Sequence, residues 1–171
     1  MVNNNMAEFL AYYRRIKERT LKVVRLISDE HLGFRWKEGT FSLGDLARHI
    51  ILIERDMYLP NIQGQVSTYR GCSADFAPTA EAIVKLYDDT MHTMLRFLEE
   101  QPESFLSEYC QTPIGTPIRR GKWLRAMIEH EIHHRGQLYL MLQYLEVQTP
   151  PLFQLTSEDV IRLGRENSGE S

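Results

Sequence analysis

Four long stretches of this chain repeat their apolar residues at steps of three and four, the period of a helix packed along one face. Phe9, Tyr13, Ile16, Thr20, Val23 and Ile27 form the first stripe, with Arg14, Arg15, Lys17 and Glu18 outside it and Asn5 or a neighbouring Asn able to cap its start. Ser28 to Gly33 reads as its exit. The second helix is expected to start at Ser42, where Ser42 and Asp45 have capping-box spacing, to carry Leu46, Ile50, Ile53 and Met57 inward, and to stop at Pro60. The third runs from Thr79 to Glu100 with Ile83, Leu86, Tyr87, Thr90, Met94 and Phe97 inward. The fourth and longest runs from Gly121 to Glu146 and is closed by Thr149-Pro150-Pro151. A short fifth begins at Thr156, with Asp159 completing a second capping box, and the tail from Glu166 is polar and expected to fray.

Between the second and third helices, Asn61 to Pro78 reads as a loop. It is long for a bundle connection, which favours a functional or partner-facing role. Ser107 to Pro117 is turn-rich and has room for a short extended pair at most. The pattern predicts an all-α four-helix bundle with a short extra C-terminal helix, in a single domain over 1–171.

At 171 residues the chain can bury a sizeable core, and its formal net charge of -3 with no Lys/Arg-rich run argues against nucleic acid as a partner. The short cluster Arg119, Arg120, Lys122 reads as a solvated helix end or an ion-pair partner rather than an anion site. No segment has the apolar h-region of a signal peptide or the length to cross a bilayer, so a soluble, cytoplasmic protein without a membrane partner is expected. Cys72 and Cys110 form no CxxC and read as free thiols.

The chemistry is concentrated in the fourth helix. The stripe Met127, His130, His134, Leu138, Met141, Leu145 sets His130 and His134 one turn apart on the inward face. Two buried imidazoles need two partners, and one divalent cation satisfies both. A third ligand must come from a facing helix. His49, beside the Leu46–Ile53 stripe, is placed to supply it, although the same position suits a boundary residue touching solvent. His31, in a turn, and His92, on a polar face, are set aside. His133 could compete with His134 but is rotated about 100° from it, toward the flank of the stripe.

His130, Glu131 and His134 also spell HExxH, the zincin pattern in which the Glu activates a zinc-bound water. The longer metzincin form fails, since Gln137 and Leu140 stand where Gly and His are needed; a downstream ligand could only be Glu158 or Asp159. Glu131 is therefore a candidate general base, or else a surface ion-pair partner of Arg135 at i+4. Asp45 could orient His49 or serve only as the helix cap, and Gln137 could contact the site or simply pack.

Three passages resemble the DinB-like (DinB/YfiT-like) family. Phe41-Ser42-Leu43-Gly44-Asp45-Leu46-Ala47-Arg48-His49 looks like the family's second-helix start, which ends in its first ligand histidine. His130-Glu131-Ile132-His133-His134-Arg135-Gly136-Gln137-Leu138 looks like its signature, and Pro150-Pro151 falls where prolines often follow its last long helix. The family often has a Gly near the end of that helix, where this chain reads Leu145-Glu146-Val147.

The resemblance covers Met6 to about Leu152 and implies an up-down-down-up four-helix bundle, His49, His130 and His134 as metal ligands, and frequent dimers. The divalent ion implied is zinc or nickel first, with iron as the alternative. Related members are thiol-dependent transferases or isomerases. The expected function is thus metal-dependent activation of a low-molecular-weight thiol toward an electrophilic small-molecule substrate. A hydrolase using a metal-bound water and a non-enzymatic, structural metal bundle are the alternatives.

Overall fold

The structure, a computed structural model, describes residues 5–168. Helix α1 spans Met6–Val24 and is capped by Asn5, whose side chain accepts from Glu8 N. Helix α2 spans Leu43–Ile53 behind the expected Ser42/Asp45 capping box. Helix α4 spans Ala80–Glu99 after a Thr79 cap, and α5 spans Arg120–Tyr144. Each of α1 and α2 packs on both α4 and α5, so the two consecutive helices sit on a diagonal of the bundle. The expected extra helix is α6, Ser157–Ser168, led by the Thr156/Asp159 box, and none of its residues is buried. Glu166 to Ser168, expected to fray, are helical; 169–171 lie outside the described residues. Tyr109–Gln111 (β1) pairs antiparallel with Pro117–Arg119 (β2), the short extended pair that the turn-rich segment allowed. No helix among the described residues is long and apolar enough to cross a membrane.

Pro60 does not end the second helix. The chain widens into a π-helical turn over Glu54–Tyr58, with Leu59 N donating to Glu54 O, and continues as the short α3, Leu59–Ile62. Pro60 has no N–H to give the Asp56 carbonyl four residues back. That carbonyl instead accepts from Thr68 N at 2.7 Å and Ser67 Oγ at 3.2 Å. The expected loop thus begins only after α3. At the far end of α5, Glu146 takes a left-handed backbone at φ 60°, and Val147 N returns to Leu142 O at 2.9 Å. A Glu here does what a Gly would do with less strain.

The core lies in two apolar halves. Ile16, Met94, Leu98, Leu124 and Ile128 belong to one, and Val24, Ile50, Ile83, Tyr87 and Leu138 to the other. Buried polar and charged side chains from all four long helical stretches meet in the same interior. Lys17 is 1% exposed, and its Nζ donates to Glu54 Oε2 at 2.7 Å and to Glu131 Oε2 at 2.8 Å. Tyr13 OH donates to the other oxygen of Glu54, and Tyr87 OH to that of Glu131 at 2.7 Å. Arg135 Nη1 donates to Thr20 Oγ1 at 3.2 Å and Ile16 O at 3.3 Å.

Two sequence expectations are corrected here. Lys17 belongs inside the first stripe, not outside it. Glu131 and Arg135 form no surface ion pair with each other; both are buried and partnered elsewhere. Burial pushes the Lys17 ammonium toward losing its proton, but the two carboxylates outweigh it and raise its pKa. Burial raises Glu54, and the nearby Glu131 charge keeps it raised against Lys17. For Glu131, burial is overcome by Lys17 and by the bonds it accepts, and its pKa falls below the usual value.

Removing the ammonium leaves two carboxyls facing each other in the interior. Lys17→Met is expected to cost about 3–5 kcal/mol of unfolding free energy. The loss should be larger at pH 8 than at pH 5, because protonation of the stranded carboxyls relieves it. Urea denaturation at both pH values checks this; a loss under about 1 kcal/mol at pH 8 would mean that the ion cluster does not hold the bundle together.

Candidate metal centre

The inward stripe of α5 is shifted from the one read in the sequence. Its buried positions are Leu124, Met127, Ile128, Glu131, Arg135, Leu138, Met141 and Leu142. His130 and His134 each stand one residue before a buried charged residue, so they lie about 100° around the helix from it. Both are half-buried, at the seam with α2 and not in the middle of the apolar face. His49, also half-buried, comes from α2 to the same seam.

One ring nitrogen of each of His49, His130 and His134 lies within 4.8 Å of the other two. His49 Nε2 and His130 Nε2 are 3.1 Å apart. Metal–imidazole distances near 2.05 Å on a tetrahedron put ligand nitrogens roughly 3.3 Å apart. The spacing therefore suits a small divalent ion. The remote nitrogens point the same way. His49 Nδ1 is 2.8 Å from Tyr69 OH, and His134 Nδ1 is 2.7 Å from Gln137 Oε1. With Nδ1–H donated outward, each ring has its Nε2 lone pair free for the cluster, the usual arrangement of a metal-binding imidazole.

Burial, followed by the neighbouring imidazole charge, depresses His49 and His130 to about 4. Burial also lowers His134. All three rings are neutral near pH 7, with lone pairs available. The donor set is three imidazoles without a carboxylate or thiolate, and it could hold zinc, nickel or iron.

The other candidates fall outside this group. His133 is exposed, and its Nε2 accepts from Gln137 Nε2 at 3.2 Å. Gln137 thus contacts the site, joining His134 to His133. His31 is tied to Ser28 Oγ at 3.0 Å, and the exposed His92 to the Asp88 carbonyl at 2.8 Å. Both oxygens of Glu131 are taken by Lys17 and Tyr87, so it does not stand ready as a general base. Asp45 is spent on the Ser42 cap and on Arg48 and Arg35, not on His49. Burial tends to raise its pKa, but the Ser42 and Arg48 hydrogen bonds hold it below the usual carboxylate range.

The long loop supplies what the sequence reading missed. Tyr69 reaches His49 from it, and Phe41, ahead of α2, stacks on the His49 ring at 4.9 Å. Arg48, 3% exposed, anchors the loop by donating to Cys72 O at 2.9 Å and Ala77 O at 3.1 Å. The hint of Phe41 was its place at the head of the passage that ends in His49, eight residues on; nothing local marked Tyr69. Cys72 and Cys110 are free thiols with pKa values pushed up by burial.

The sequence profile of the DinB superfamily matches residues 12–138. The uncharacterized protein YjoA of Bacillus subtilis (strain 168) is 21% identical over 153 residues, covering 89% of this chain and 96% of YjoA. YrdA of the same organism, also uncharacterized, is 23% identical over 166 residues, covering 92% and 93%. A crystal structure of a DinB-like protein from Bacillus cereus ATCC 10987 superposes with a TM-score of 0.77 at 23% identity, covering 88% of this chain and 99% of that one. The crystal structure of YjoA gives 0.67 at 18%, covering 87% and 99%.

The depressed histidines set a pH dependence. Between about pH 6.5 and 4 the unfolded chain binds more protons at these rings than the folded protein does, so stability of the metal-free protein falls as pH drops through that window. Thermal midpoints of chelator-treated protein from pH 7 to pH 4.5 should fall, and His49→Asn should flatten the fall. Parallel curves for the two proteins would show that His49 is not held neutral.

Proposed function

This chain belongs to the DinB superfamily, and from that premise we propose that His49, His130 and His134 hold one divalent ion, zinc or nickel before iron, at a centre that activates a low-molecular-weight thiol for transfer to an electrophilic small molecule. The observation that carries the reading is the convergence of three neutral imidazoles with no fourth His, Cys, Asp or Glu in the group among the described residues. Neutral ligands leave a bound ion its full charge, so it would favour the deprotonated form of a thiol or water placed on it.

The chain's own residues do the positioning. Tyr69 and Gln137 fix the tautomers of His49 and His134, Phe41 covers one face of His49, and Arg48 pins the loop that carries Tyr69. Thiol transfer is favoured over hydrolysis by Glu131. A carboxylate base beside the ion would assist attack by water, and the carboxylate next to His130 is instead locked to Lys17 and Tyr87. A thiol is acidic enough to be delivered largely as the anion once it faces a cation.

In the transfer step the thiol sulfur forms the new S–C bond, its proton passes to solvent, and the leaving group departs with the bonding pair. Metal-loaded protein should consume a chromogenic electrophile such as 1-chloro-2,4-dinitrobenzene only when a small thiol is added. The rate above background should fall at least 100-fold in His49→Ala. Turnover that is indifferent to added thiol contradicts the reading.

A further inference from the structure

A cavity of about 290 Å³ opens beside the histidine cluster, lined by Trp36, Phe41, Leu46, Gln137, Leu140 and Met141 together with a threonine. No charged side chain lines it. Two of its walls are the side chains that touch the candidate ligands: Phe41 lies stacked on His49, and Gln137 accepts from His134 Nδ1. Three large apolar residues stand open around it, Trp36 at 56%, Leu140 at 55% and Phe41 at 42% exposed.

The wall is preformed. Trp36 rests edge-on against Tyr144 at 5.0 Å, and Tyr144 stacks on Phe34 at 5.4 Å. The neighbouring Arg35 is fixed by donating to Asp45 Oδ2 at 2.9 Å.

We propose that this cavity takes an uncharged aromatic ring of the substrate, so that the reacting group reaches the histidine cluster past Phe41 and Gln137. This rests on the metal-centred reading above and adds the substrate class to it. The volume decides the size of the ligand: a benzene ring fills a cavity of roughly 150 Å³. One ring with a short substituent therefore fits, and a bulky peptide does not. The lining decides the chemistry, since an anionic or phosphorylated group would meet no counter-charge there.

The test uses two thiol probes on Co²⁺-loaded protein, followed by the thiolate-to-cobalt absorption in the near ultraviolet. Benzyl mercaptan should half-saturate at a concentration at least tenfold below that of 2-mercaptoethanol. Trp36→Ala and Leu140→Ser, both at exposed positions, should bring the ratio to about twofold or less. Equal affinities in the unmodified protein, or a preference that survives both substitutions, overturn the cavity assignment while leaving the metal centre standing.

A second arm needs no metal. In a Trp123→Phe background, Trp36 emission should be quenched saturably by 4-nitrobenzyl alcohol, and linearly in Leu140→Ser. If neither thiol gives an absorption band while the quenching saturates, the thiol reading fails and the ring site stands. Linear quenching throughout overturns the ring site. So does a Trp36 emission that shifts with protein concentration alone together with a dimer that Leu140→Ser dissociates, because the occupant is then a second copy of the chain.

Discussion

Lys17, held between two buried carboxylates, is the interaction on which the arrangement of the bundle depends. It joins α1 to the π-helical turn through Glu54 and to α5 through Glu131, and Tyr87 adds α4. Apolar side chains can slide past one another at small cost, but a buried carboxylate has few acceptable neighbours. An ion cluster of this kind need not add net stability over a well-packed apolar core. What it supplies is a penalty for every other rotation and register of the helices that meet at it.

The site follows from that constraint. Glu131 and Arg135 must point inward, so His130 and His134, each one position earlier, are turned to the seam with α2. The same cluster commits Glu54 on the far end of the second helix, and that fixes the face on which His49 arrives. The π-helical turn and Pro60 then release the Asp56 carbonyl to the segment that carries Tyr69. A polar layer deep in the core thus determines the positions of three imidazoles that are themselves only half-buried. Glu131, which the HExxH spelling marks as a candidate base, is part of the scaffold, with both of its oxygens held by Lys17 and Tyr87.

The bundle was legible in the sequence because its caps and its apolar period are local. Ser42 with Asp45, Thr79, and Thr156 with Asp159 mark helix starts that the structure keeps. The inward face of α5 was misjudged by about one residue. A charged side chain counts as surface in any periodicity argument, yet Glu131 and Arg135 are core. Lys17 was misplaced for the same reason: nothing in its neighbourhood announces a partner at position 54 or 131. His130 and His134 stay together because spacing at i, i+4 keeps two rings side by side whichever way the helix is turned, and His49 meets them from the facing helix. Pro60 looked like a terminator because the turn that accommodates it leaves the Asp56 carbonyl to donors eleven and twelve residues further on, Ser67 and Thr68. Tyr69 and the Trp36–Phe41 cavity depend on how loops return to the bundle, which no short-range pattern encodes.

The central claim is a divalent ion on His49, His130 and His134. It is tested most directly by elemental analysis of the purified, exhaustively dialysed protein and its His130→Ala variant, with His92→Ala as the control for loss of an unrelated histidine. The account predicts about one zinc, nickel or iron per chain in the unmodified protein and in His92→Ala, and less than a tenth of that in His130→Ala. Stoichiometric metal retained by His130→Ala, with its helical content unchanged, would contradict it.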